Sequence, residues 1–205
     1  MNGRVGVASV TAIVTWTALG LQFSLIVDHM TAGGASAGQA IWRFFGFFTI
    51  LTNCAVAIVA TAMAFRAKRA LGDPRVRLAT VTAIAMVGIV YSIALRSIWN
   101  PEGWQAVADH ALHDATPLLF LLSWILADHG SLRWRDIVWA VVPPALYCAY
   151  AFARGALEGW YAYWFLDPRA LGGGQMATNI GLLLAAFSFV GLAFIAADRW
   201  LSQRR

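Results

Sequence analysis

Leu78-Ala-Thr-Val-Thr-Ala-Ile-Ala-Met-Val-Gly-Ile-Val-Tyr91-Ser-Ile-Ala-Leu95 runs without a charge from Arg77 to Arg96. A helix of this length crosses the hydrocarbon core of a bilayer. Apolar stretches of similar character recur along the whole chain, which places six helices at about 5–27, 41–65, 77–99, 105–127, 137–156 and 176–198. The expectation is an all-α polytopic membrane protein, with 1–205 as one six-helix transmembrane domain and no soluble domain between the spans. The first apolar run is too long for a cleavable signal and lacks a small-residue cleavage site.

Composition agrees. The chain is 60% hydrophobic and 12% charged, with a mean hydropathy of +0.66. A soluble domain carries about twice that charge. The net charge of +5 is explained by basic loops facing an anionic leaflet, and it is not a sign of nucleic-acid binding, since no basic-aromatic surface remains outside the spans.

Those basic loops orient the chain. With the N-terminus cytoplasmic, that side receives Arg4, Arg66, Lys68, Arg69, Arg75, Arg77, Arg133, Arg135, Arg199, Arg204 and Arg205, which is 11 of 15 Lys and Arg. Arg43, Arg96, Arg154 and Arg169 fall on the other side. The expected topology is N-in and C-in, and the expected location is a bacterial inner (plasma) membrane. Loops at about 28–40, 100–104 and 157–175 then lie outside. The last is rich in Trp and Tyr, which reads either as an interfacial aromatic belt or as a lid over an opening to lipid. Cys54 and Cys148 fall inside spans with no metal or disulfide spacing.

Polar residues in the spans carry the functional information, because ionisable groups in a bilayer mark sites by default. Thr49 lies about 8 residues into the second span from its outer end, and His113 about 8 into the fourth. At 1.5 Å per residue both are roughly 12 Å deep, so they meet if the two spans adjoin. A hydroxyl beside an imidazole is the minimum apparatus of nucleophilic acyl transfer. Asp109 stands at i,i+4 from His113 and can orient the ring. His110 and Asp114 form a second such pair. Thr49, Thr52 and Asn53 share a face, where Asn53 can donate to a developing oxyanion. Pro117 removes a backbone bond near His113.

Plainer readings exist for each residue. A threonine in a membrane helix commonly bonds its own backbone or a neighbouring helix, and an intramembrane histidine can be a structural hydrogen-bonding group. Arg96 and Arg154, at outer span ends, either snorkel to headgroups or clamp a substrate carboxylate. No G-x-S-x-G elbow, H-E-x-x-H or P-loop occurs, and His29, His110, His113 and His129 lack metal-site spacing, so no metal or organic cofactor is expected.

Three stretches carry a resemblance: Phe48-Thr49-Ile-Leu-Thr52-Asn53, Asp109-His110-Ala-Leu-His113-Asp114-Ala-Thr116-Pro117-Leu, and Gly155-Ala-Leu-Glu-Gly159-Trp160-Tyr161-Ala-Tyr163-Trp-Phe165-Leu166-Asp167. With the six spans, the chain resembles a bacterial six-span membrane family distantly related to the androgen-induced, ADTRP-type membrane hydrolases. That resemblance implies a threonine hydrolase of fatty-acid esters of hydroxy fatty acids, with its nucleophile at Thr49 and its histidine partner at His113. His110, one turn earlier, is the competing position for the base. Ala162 and Trp164 depart from the proline often found in relatives' aromatic loop. The expected function is hydrolysis of ester-linked membrane lipids; the alternative is a non-enzymatic lipid-binding or small-molecule transport protein using the same pocket.

Overall fold

The computed structural model describes residues 3–67 and 70–204. Lys68, Arg69 and Arg205, counted above among the cytoplasmic basic residues, lie outside them. The described residues form helices joined by short loops, with no strand among them, and they group into two compact units, one up to Asp128 and one from His129.

The first unit holds α1 (Gly3–Ala32), α2 (Ala37–Phe44), α3 (Phe48–Ala64), α4 (Pro74–Val90), α5 (Gly103–His110) and α6 (Thr116–Leu126). Asp73 accepts from the Arg75 N–H and Pro74 follows it, a standard start for α4. Ser36 and Gln39 close a capping box at α2. Two wide π turns interrupt the ladder: Tyr91–Leu95 continues α4, and Ala111–Ala115 joins α5 to α6. Such turns are rare and frequently mark functional sites.

Small polar residues knit this unit together, as packing inside apolar surroundings favours. The Thr11 and Ser123 hydroxyls lie 2.8 Å apart and bond α1 to α6. Thr15 donates to the Thr11 carbonyl and lies 3.3 Å from the Thr116 hydroxyl. Ala18, Leu19, Phe44, Ile50, Ala57 and Leu112 form an apolar cluster beside that seam.

The second unit holds α7 (Val138–Glu158) and α8 (Pro168–Ser202). Buried Asp198 of α8 accepts from the backbone N–H groups of Gly130 and Leu132 and faces His129 Nδ1 at 3.0 Å. Gly155 lets the aromatic loop fold back, since a Cβ there would lie 2.1 Å from the Tyr161 ring. Asp167 caps α8 and pairs with Arg169. The guanidinium hydrogen bond holds the Asp167 carboxyl below the usual carboxylate range.

The six expected spans are recovered only in part. Gly3–Ala32, Pro74–Leu95, Trp134–Glu158 and Pro168–Ser202 are long and apolar enough to cross a membrane. The expected helix 41–65 is instead two helices, Ala37–Phe44 and Phe48–Ala64, bent by 78° and counting at most as a fifth span. Its break falls at Phe45-Gly46-Phe47, where Phe47 turns extended. The expected span 105–127 is not among them. Asp109, His110, His113 and Asp114 crowd its first half, and a π turn splits it. The aromatic loop is also shorter than expected, because α7 reaches Glu158 and α8 begins at Pro168.

Candidate active site

Thr49 stands in the first turn of α3, directly after the bend. Its position therefore follows from a new helix start, not from depth along a straight span. The positive end of a helix dipole lies there, which favours negative charge developing on the hydroxyl. Thr49 Oγ1 lies 3.3 Å from His113 Nε2, within the separation of about 5 Å allowed for a loosely held nucleophile and base.

His113 sits on the second π turn. Its Nδ1 faces two acceptors, the Asp109 carbonyl at 3.0 Å and Asp109 Oδ1 at 3.2 Å. A nitrogen facing only acceptors carries the proton, so the neutral ring leaves the Nε2 lone pair toward the Thr49 hydroxyl. The Tyr91 hydroxyl donates to Asp109 Oδ2. The Tyr91 ring stacks on the imidazole with centroids 4.0 Å apart and planes 14° apart. Asp109 and Tyr91 are both buried.

Asn53 is fully buried beneath Thr49. Its amide donates to the Thr49 carbonyl at 2.8 Å and to the Leu112 carbonyl at 3.3 Å. The second bond has a local cause. In the π turn the Thr116 N–H goes to the Ala111 carbonyl, and Pro117 has no N–H, so the Leu112 carbonyl is left without a helical donor. Both amide hydrogens being directed at carbonyls, Asn53 orients the helix of Thr49 against the turn that carries His113 and has no hydrogen left for an oxyanion. Thr52 is buried on the same helix. Gly88 permits α4 to approach, since a Cβ would lie 3.3 Å from the His113 carbonyl and 3.5 Å from Pro117.

His110 is directed elsewhere. Its side chain is 63% exposed, against 14% for His113, and Nδ1 lies 2.8 Å from Asp114 Oδ2. Arg96 donates to the other oxygen of Asp114 and lies over the Tyr91 ring at 5.0 Å. Arg154 belongs to the second unit, where its guanidinium bonds Glu158 at 2.7 Å and the Tyr150 hydroxyl at 3.1 Å. Both arginines thus have carboxylate partners within the protein, which leaves the clamp role expected of them without support in this geometry.

A groove of about 510 Å³ runs between α4 and α6 with their π turns, lined by Val81, Ala85, Ile89, Leu118 and Leu121 and by His113 and Asp114 toward one end. Thr49 is not among its lining residues. Among the described residues, no three of His, Cys, Asp and Glu come together as a metal-binding group.

Tyr91 is the site residue that the polar pattern did not single out. A phenol in an apolar run reads as core, yet Tyr91 lies 8 residues before Trp99, the same count that placed Thr49 and His113 in one layer. No family model matches the chain, no curated protein matches it, and no solved structure matches it.

Proposed function

We propose that the chain is an integral membrane hydrolase of ester-linked lipids, with Thr49 as nucleophile, His113 as base and Asp109 as the group that orients His113. The observation that carries this reading is the 3.3 Å approach of Thr49 Oγ1 to His113 Nε2, on a ring whose Nδ1 is held by Asp109. It is the nucleophile–base–orienter pattern of acyl-transfer sites.

In this chemistry Thr49 gives its proton to His113 Nε2 as Oγ1 bonds to the ester carbonyl carbon. The ester C–O bond then breaks, and the alcohol leaves with the proton from His113. A water, deprotonated in turn by His113, attacks the acyl-threonine; the fatty acid departs and Thr49 regains its proton. The helix N-terminus at Thr49 favours the negative charge on the way. The substrate class is a fatty-acid ester of a hydroxy fatty acid or a similar lipid, and no metal or organic cofactor takes part. The membrane reading adds the bent pair 37–64 and the split helix 103–126 to the four long helices as six spans, N-in and C-in, in a bacterial inner membrane.

The test is covalent labelling of the purified protein by a fluorophosphonate. The expected product is an adduct on Thr49, found by mass spectrometry of the digested protein and lost in Thr49→Ala and His113→Ala. An unlabelled wild type refutes the hydrolase. A second reading, lipid binding or transport without cleavage, draws on the groove, which reaches His113 and not Thr49; under it lipid is retained on the protein and no adduct forms.

A further inference from the structure

The hydrolytic reading leaves Tyr91 without a task, although it contacts both the histidine and its carboxylate. Its hydroxyl donates to Asp109 Oδ2, and Asp109 Oδ1 is the oxygen that faces His113 Nδ1 at 3.2 Å. Its ring covers the imidazole at 4.0 Å. Tyr91 and Asp109 are both buried, so the hydrogen bond between them does not compete with bulk water. Terminal carboxylate and imidazole torsions are broad. A carboxylate anchored at one oxygen has its other oxygen aimed, and an imidazole held against a ring face resists rotation out of that plane.

We propose that Tyr91 is the positioning residue of this site, fixing Asp109 by its hydroxyl and His113 by its ring so that these contacts, together with the Asp109 carbonyl 3.0 Å from Nδ1, keep the proton on Nδ1 and Nε2 toward Thr49. The chain Tyr91–Asp109–His113–Thr49 then runs from the π turn after α4, through the one after α5, to the start of α3. The π turn at Tyr91–Leu95 contributes by closing the Arg96 N–H onto the Tyr91 carbonyl at 2.8 Å. Arg96 over the ring at 5.0 Å supports it in turn. This inference rests on the hydrolytic reading for its catalytic meaning, but its geometric content is measurable without turnover.

Tyr91→Phe keeps the ring and removes the hydrogen bond; Tyr91→Leu removes both. The two readouts are the rate of fluorophosphonate labelling and the ¹⁵N chemical shifts of His113 in detergent, assigned with His113→Gln, which report the tautomer. Tyr91→Phe is expected to slow labelling about ten-fold, the size of one net hydrogen bond, and to raise the Nε2–H tautomer measurably while the Asp109 carbonyl still favours Nδ1–H. Tyr91→Leu is expected to slow it further. A Tyr91→Phe protein that folds and keeps the wild-type tautomer ratio overturns the proposal, whatever its labelling rate; so does one with a changed ratio and an undiminished rate. An unlabelled wild type fails the hydrolytic reading alone, and the tautomer then decides the positioning role by itself. Should Tyr91→Leu not fold, Tyr91→Phe carries the test.

Discussion

Asn53 is where the helix of Thr49 is fastened to the turn of His113, and Asn53→Ala should show how strongly. The change removes the 3.3 Å bond to the Leu112 carbonyl, which has no helical donor because the Thr116 N–H serves Ala111 and residue 117 is proline. A buried carbonyl left unpaired costs about 1–3 kcal/mol, and the 2.8 Å bond to the Thr49 carbonyl adds about 1 kcal/mol. Losing Asn53 Oδ1, buried and without a partner among the described residues, offsets part of this. The expected net loss is about 2–3 kcal/mol. Pro117→Ala restores an N–H five residues beyond Leu112, the spacing a π turn uses. In the Asn53→Ala background it should return about 1 kcal/mol, a coupling expected of residues sharing one acceptor. Reversible unfolding in mixed micelles of the wild type, both single variants and the double variant measures the cycle. Strict additivity, within about 0.3 kcal/mol, would refute the account of the Leu112 carbonyl.

Thr49→Ala, His113→Ala and their double variant should all lower lipid-ester hydrolysis to a similar floor, because groups acting as a unit are non-additive. Thr52→Ala and His110→Ala should be mild, and a severe His110→Ala would move the base by one turn. A reporter fused after Arg205 should read cytoplasmic and one inserted at Gly34 external, while reversal of both would invert the proposed topology. The Asp167 carboxyl, depressed by Arg169, stabilises the folded state above the unfolded aspartate value of about 3.9. That contribution is lost as pH falls through the lower folded value. Asp167→Asn should flatten the acid side of a stability–pH curve, and an unchanged curve would show that the pair contributes nothing.

Amino-acid order alone determined the helical class, because long uncharged apolar runs have few alternatives to helix where water is scarce. It also singled out Thr49, His113, Asp109, His110 and Asp114, since polar side chains stand out in an apolar background and i,i+4 spacing places each acid beside its histidine. Three decisions belonged to tertiary structure. The bend at Phe45-Gly46-Phe47 is invisible in an apolar run whose hydropathy does not change, so residues 41–65 read as one straight span. Which of His110 and His113 lies against Thr49 depended on which face of the π turn meets α3, and a single extra residue in a turn rotates that face beyond what helical counting can follow. Tyr91 escaped notice because its partners are distant in sequence: an apolar ring with one hydroxyl reads as core until Asp109 and His113 are brought against it by packing.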